Sequence, residues 1–372
     1  MKLWTNLFGY SEIALRMPSI LFSLLTGYVV YLIGGIWSAA FFLFNPLIVY
    51  YSQEARMYMM VTFFLTASLY YFLKSKNLIL FNLFLILSFY TFYGSIFLIA
   101  TILLYLLFKK RYKVFLVSCF LFLVSFVLIS SLLYQQFLHS RIALSNVTHW
   151  SLVLGKANIK NLLLIPIKFS IGRISFYPKW LYWGIAGIWT GFVLFTIKTV
   201  FIKTVFYLLI FPLVLGFLVS FFIPMLQYFR FIYLIPIITI LLSLNKNTSM
   251  YRYIVIIGFV VFSSAYLLLP QFHREDWKSL VKNLPKNRPV YMIKASSDPV
   301  KYYQNDLKVK ELTLLRPMSY GGQGKLEKEI IVIPYTADIY GLDYKKGLTK
   351  SGYQQKEVKN FRELSFEIWR GR

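Results

Sequence analysis

Ser52-Gln53-Glu54-Ala55-Arg56-Met57-Tyr58 separates two long apolar runs and carries one of only two acidic side chains in the first 270 residues, the other being Glu12. A carboxylate and a guanidinium at the rim of an apolar span are costly to keep there, so residues in such places are functional candidates by default. The flanking runs decide the fold. Apolar stretches of about 15 to 20 residues recur along the chain, and with 58% hydrophobic residues they define a polytopic α-helical membrane protein and exclude a soluble globule.

Working outward, the apolar runs predict about ten spans, near residues 17–34, 36–50, 57–73, 78–92, 95–108, 114–133, 180–197, 205–223, 229–243 and 253–270. Several are short. A 15-residue helix covers roughly 22 Å, less than a hydrocarbon core of about 30 Å, so some of them must extend into loops or be shielded by neighbours. Lys74 and Lys76, then Lys109, Lys110, Arg111 and Lys113, then Lys198 and Lys203, then Lys246 and Arg252 fall at every second connection. The positive-inside rule turns these toward the cytoplasm of a plasma-membrane protein. The heptapeptide, a long basic loop from about Tyr134 to Lys179, the Pro224 to Arg230 connection and the tail then face the other side.

Beyond about Gln271 the composition changes, since twelve of the fourteen acids and half of the forty Lys and Arg lie in the last hundred residues. Residues 1–270 therefore read as the transmembrane domain and 271–372 as a small extracytoplasmic α/β domain. Its strands are expected at Val290 to Ile293, Val309 to Leu315, Ile330 to Ile333 and Ser365 to Trp369, and its helices at Asp276 to Asn283 and Pro299 to Gln304. The tail contains no glycine-rich phosphate loop, zinc-type cysteine pair or nucleophile elbow. The formal charge of +26 comes from cations that punctuate apolar spans, which points to anionic membrane lipid or a phosphate-bearing substrate and not to nucleic acid. The single cysteine, Cys119, permits no intrachain disulfide.

The segment Ser11-Glu12-Ile13-Ala14-Leu15-Arg16-Met17-Pro18-Ser19 before an apolar run, followed by Asn45-Pro46 and by Tyr51-Ser52-Gln53-Glu54-Ala55-Arg56-Met57-Tyr58, resembles the bacterial branch of the type C glycosyltransferases (GT-C fold). These are relatives of protein O-mannosyltransferases and of the aminoarabinose transferase of lipid A. Looser likeness continues in Pro224 to Pro236, which contains Arg230, and in Glu275-Asp276-Trp277-Lys278. The resemblance implies hexosyl or pentosyl transfer from a polyprenyl-phosphate sugar to a glycan, lipid or protein acceptor on the outer side of the cytoplasmic membrane. Inverting transfer needs a carboxylate to take the acceptor's proton and cations to neutralise the departing lipid phosphate, a task that suits the guanidinium fork. The family's presumed base is an acid in a first external loop after a first span, and this chain starts where that loop should be ending. Glu12 stands at the end of the loop, not at the catalytic position. The expectation is a chain shortened at its amino terminus and inactive as given.

Glu54 and Arg56 are the catalytic candidates; an interfacial pair that anchors a helix end would use the same residues. Two apart, they diverge on a helix but can share one cavity in a turn. Glu12, Arg16, Tyr58, Lys168, Arg173 and Arg230 are the substrate-binding candidates. Glu12 and Arg16 also suit a helix-start ion pair, Tyr58 and Tyr51 an interfacial aromatic belt, and Lys168 and Arg173 an amphipathic anchor. His139, His149 and His273 lack metal-ligand spacing, so no metal or other cofactor is assigned, although a divalent cation stays open. Two other classes compete with the transferase. A non-catalytic subunit would bind the lipid-linked donor or a partner enzyme, and a transporter would use charges near the bilayer midplane.

Overall fold

The structure, a computed structural model, describes residues 2–147, 149–198, 203–244, 249–285, 288–315 and 327–371, so Lys246 of the charge pattern lies outside the described residues. The chain divides into two compact units, one made of Met1–Leu133 and Leu154–Phe272, the other of Tyr134–Val153 and His273–Arg372.

In the helical unit the elements follow the apolar runs. Short α1 (Lys2–Phe8) precedes α2 (Glu12–Leu43), whose first turn is capped by Ser11 accepting from the Ala14 amide at 3.1 Å. Gly35 breaks α2 with φ 80° and ψ −172°, a conformation that a β-carbon opposes, and the apolar pattern divides at the same residue. The second expected span is further interrupted at Asn45. Its side chain accepts from the amides of Leu47 and Ile48, and Pro46 fills the first turn of α3 (Pro46–Ser52). There follow α4 (Tyr58–Tyr70), extended by a π-turn over Tyr71–Ser75, then α5 (Leu78–Thr91), α6 (Ile96–Phe108) and α7 (Tyr112–Leu128).

The run expected as one span at 114–133 instead turns by 64° where α7 meets α8 (Ser130–Asn146). The stretch from Tyr134 to Lys179, expected as a loop, is largely helical, with α9 (Trp150–Leu154) and α10 (Ile159–Ile171). The remaining helices are α11 (Lys179–Lys198), α12 (Lys203–Val219), α13 (Ile235–Ser243), entered through a 3-10 turn over Tyr228–Leu234, and α14 (Ser249–Leu268). Among the described residues α2, α11 and α14 are long and apolar enough to cross a membrane, with a fourth span if α7 and α8 act as one. The other apolar helices are shorter, so the expected ten runs do not appear as ten full-length spans. The core around Phe41, Phe42, Tyr50, Met59, Phe231 and Tyr233 is sealed from solvent.

The second unit contains a five-stranded sheet in the order β2-β1-β3-β5-β4, formed by β1 (Val290–Met292), β2 (Val309–Glu311), β3 (Glu329–Val332), β4 (Tyr353–Phe361) and β5 (Leu364–Gly371). The first three are parallel and the last two antiparallel. Alternate residues of β1 and β3 serve two cores. Val290, Met292 and Ile331 pack with α15 (Trp277–Lys282) and α16 (Asp298–Tyr303), whereas Tyr291, Ile330 and Val332 pack with α17 (Tyr344–Lys350). Burial on both faces explains why these strands read as unbroken apolar runs. The strand expected to reach Leu315 stops at Glu311 and continues as a 3-10 turn. β4 has no counterpart among the expected strands, because it is an exposed edge strand whose polar sequence lacks alternation.

Candidate functional site

The Glu54–Arg56 segment is a turn, with the Arg56 amide donating to the Glu54 carbonyl at 2.8 Å. Ser19 of α2 pins that turn, its hydroxyl donating to the Glu54 carbonyl at 2.5 Å. The turn lets two residues that would diverge on a helix meet: Arg56 Nε lies 3.8 Å from Glu54 Oε2. Glu54 is mostly enclosed, at 11% side-chain exposure, and Arg56 is open at 48%. Arg56 also lines a cavity of about 280 Å³ whose other walls, Ser19 apart, are apolar and include Trp4, Pro18, Phe22, Met57 and Met60. A charged group at the mouth of an apolar cavity suits an amphiphile with an anionic head.

Tyr58 opens α4 beside this turn and is buried. Arg56 and Arg230 both act electrostatically on its side chain. Rings carry the cluster onward, with Tyr58 5.2 Å from Tyr51 and Tyr51 4.9 Å from Tyr50, each pair edge-on. Arg173 Nη1 donates to the Tyr50 hydroxyl at 2.6 Å, and the guanidinium lies 5.0 Å from that ring's centroid. Lys168 Nζ donates to the Tyr182 hydroxyl at 3.0 Å and to the Ile174 carbonyl at 3.2 Å. Burial, with Arg173 and Lys179 nearby, pushes the Lys168 ammonium down to about 8. Tyr228 acts electrostatically on Tyr51, Tyr58, Tyr182 and Arg173, so it lies among both groups of cations.

The Asn-Pro pair explains how the second group is held. While its carbonyl oxygen caps α3, the Asn45 amide donates to the Phe169 carbonyl at 2.8 Å, tying α3 to the end of α10. Gly172 then lets the chain pass. Its φ is +76°, and a β-carbon there would meet the Pro46 backbone at 3.0 Å. The residue after this close approach is Arg173, delivered onto Tyr50 of α3.

Arg56, Tyr58, Lys168, Arg173 and Arg230 are thus brought into one neighbourhood, with Glu54 at its edge. Glu12 and Arg16 are not drawn into it. They form an i,i+4 pair at 3.6 Å, with exposures of 38% and 51%, on the first turn of α2. Tyr50, Tyr51, Tyr182 and Tyr228 are the residues that sequence reasoning left out, because tyrosines near span ends read equally as an interfacial belt. The signal available was the doublet Tyr50-Tyr51 directly behind Asn45-Pro46. Among the described residues no three His, Cys, Asp or Glu side chains come together as a metal site.

A multi-helix apolar unit with broken helices, joined in sequence to a small mixed sheet, defines the fold class. Two crystal structures of ArnT from Cupriavidus metallidurans share it. The one bound to undecaprenyl phosphate matches with a TM-score of 0.54 at 12% identity, over 98% of this chain and 86% of that one. The apo form matches with a TM-score of 0.55 at 12% identity, over 98% and 85%. No protein-family model matches the chain, and no curated protein matches it in sequence. The GT-C-like fold implied by the sequence resemblance is the fold this chain adopts.

Proposed function

We propose that this chain is a multi-pass membrane glycosyltransferase that takes a sugar from a polyprenyl-phosphate carrier and passes it to an acceptor on the outer side of the cytoplasmic membrane. The observation that carries this reading is the convergence of Arg56, Lys168, Arg173 and Arg230 on a group of tyrosines, with Glu54 the one carboxylate beside them among the described residues. Four cations against a single acid leave a surplus of positive charge inside a largely apolar unit. Such a site suits a lipid-linked phosphate, whose negative charge grows as the sugar departs. Arg56 and Arg173 are assigned to the phosphate oxygens, Arg230 and Lys168 to its wider field, and the phenol hydroxyls to orienting the guanidinium groups. Glu54 is assigned the acceptor's proton. The apolar cavity beside Arg56 suits the first isoprene units of the carrier. The shared fold with a protein crystallised with undecaprenyl phosphate supports the choice of carrier.

Glu54 is engaged by Arg56 at 3.8 Å, an arrangement that equally suits a subunit that binds the donor without turning it over. Reconstitution separates the two. With radiolabelled polyprenyl-phosphate sugar in proteoliposomes, Arg56→Ala and Arg173→Ala should each lower transfer by about 100-fold or more, the scale expected when a preorganised charge on a reacting group is lost. Transfer unchanged in both variants would remove the cluster from the site. Donor binding with no transfer by the unaltered protein would establish the binding subunit instead.

A further inference from the structure

A cavity in the sheet unit is lined by none of the residues of the helical site. It is a groove of about 840 Å³, and its rim gathers Lys278, Lys282, Arg288, Lys308 and Lys310 against only Asp306 and Glu327. The cations come from three places in the fold. Lys278 and Lys282 are four apart on α15 and so share one helix face, Arg288 precedes β1, and Lys308 and Lys310 flank the start of β2. Two of the five have partners: Lys310 pairs with Glu327 at 3.0 Å and Arg288 with Glu329 at 2.9 Å. Lys282 and Lys308 have no ion pair among the described residues. Both are exposed, so they face whatever enters. Like charges around one concavity repel, and an anion in it relieves that repulsion.

The rest of the lining narrows the ligand. Val281, Leu284, Pro285, Pro289 and Leu307 make an apolar lining between the lysines, with Tyr303 also on the wall. A bare inorganic anion would make no use of that surface. A nucleic-acid strand would call for a series of stacking rings along a channel, and among the described residues this groove has one aromatic side chain. Its volume falls in the range of small-ligand sites, about 300 to 1,000 Å³. Lysine ammonium groups meet phosphate as point charges, and apolar surface with a tyrosine ring accepts the C–H face of a sugar.

We propose that this groove binds a phosphorylated saccharide, with Lys282 and Lys308 on the phosphate and the ring against Leu307 and Tyr303. The ligand is either the head of a phosphoglycolipid or a soluble phosphoglycan. The assignment does not rest on the transferase reading, because it uses none of the residues of the helical site.

The test uses the full chain in phosphatidylcholine nanodiscs, titrated calorimetrically with glucose 1-phosphate and, separately, with glucose. Glucose 1-phosphate should bind, weaken as salt is raised, and bind at least tenfold more weakly to Lys282→Glu/Lys308→Glu. Lys350→Glu, on α17 outside the groove, should bind as the unaltered protein does. Should charge reversal impair folding, the milder Lys282→Gln/Lys308→Gln must still weaken binding at least threefold. Equal affinity in the groove variants and the unaltered protein overturns the proposal. So does glucose binding as tightly as its phosphate, or a single-stranded DNA oligomer displacing the sugar phosphate at lower concentration. Repeating the titration in phosphatidylglycerol nanodiscs separates the sources: competition by the discs assigns the site to a lipid headgroup, and undiminished binding assigns it to a phosphoglycan.

Discussion

Positive charge is met differently at Glu367 of the sheet unit and around α10 of the helical unit. At Glu367 a carboxylate answers a cation. Glu367, only 3% exposed, accepts from the Tyr344 hydroxyl at 3.0 Å and from Trp369 Nε1 at 2.8 Å while facing Lys345 Nζ at 3.1 Å. Around α10 phenols answer cations: Arg173 meets Tyr50 and Lys168 meets Tyr182. A carboxylate cancels a charge, whereas a neutral hydroxyl orients it and leaves it uncancelled. The first arrangement fastens a core, and the second keeps charge available for an incoming anion.

The sharpest way to break this contrast is to remove the fastening acid. Glu367→Ala strands the indole and phenol donors, so the sheet unit should lose about 2 to 4 kcal/mol of stability. Hydrogen exchange of the strand amides in the full chain reads that loss. Carrier binding by the helical unit should stay within twofold; a parallel loss would mean the two units do not keep separate charge accounts.

Next comes Asn45→Ala, which removes the α3 cap, worth about 1 kcal/mol, and leaves the buried Phe169 carbonyl without its donor, worth about 1 to 3 kcal/mol. Thermal unfolding in detergent should fall accordingly, and transfer should fall with it because Arg173 loses its placement. A lower melting temperature with unaltered transfer would show that the Asn45 tie does not set the site.

The smallest effect is a pH dependence. Lys168 titrates near 8, below its usual 10.5, so its charge is present below about pH 8 and is lost as pH rises through that value. Phosphate-carrier affinity should therefore decline a few-fold between pH 7 and pH 9, and in Lys168→Met that decline should be absent. Stability runs the other way. Between about pH 8 and pH 10.5 the unfolded chain binds the extra proton, so the Lys168 contribution to stability rises with pH. Parallel pH profiles for the unaltered protein and the variant would remove Lys168 from the charge field.

Much of the helical order was legible, because apolar runs bounded by Lys, Gly and Asn-Pro leave few alternatives. The divide at Gly35 and the helices over Tyr58–Tyr70, Leu78–Thr91 and Ile96–Phe108 follow the runs closely. The bend between α7 and α8 was not legible, since only Ser130-Ser131 interrupt the apolar run at the corner and such a pair also sits within spans. Hydropathy reports burial from water, not direction. For the candidate site, charge in an apolar context pointed to Arg56, Lys168, Arg173 and Arg230, which the fold brings close. Glu12 and Arg16 form the exposed pair that their i,i+4 spacing also suits. The tyrosines escaped because composition cannot distinguish a phenol anchored at a membrane surface from one that braces a guanidinium. The bond from Arg173 to Tyr50, 123 positions apart, is what the fold adds.

That one side chain closes a helix with its oxygen and bridges to a second helix with its nitrogen. All of these bonds depend on one side-chain orientation, so a rotation of Asn45 would loosen the start of α3 and its tie to α10 at once.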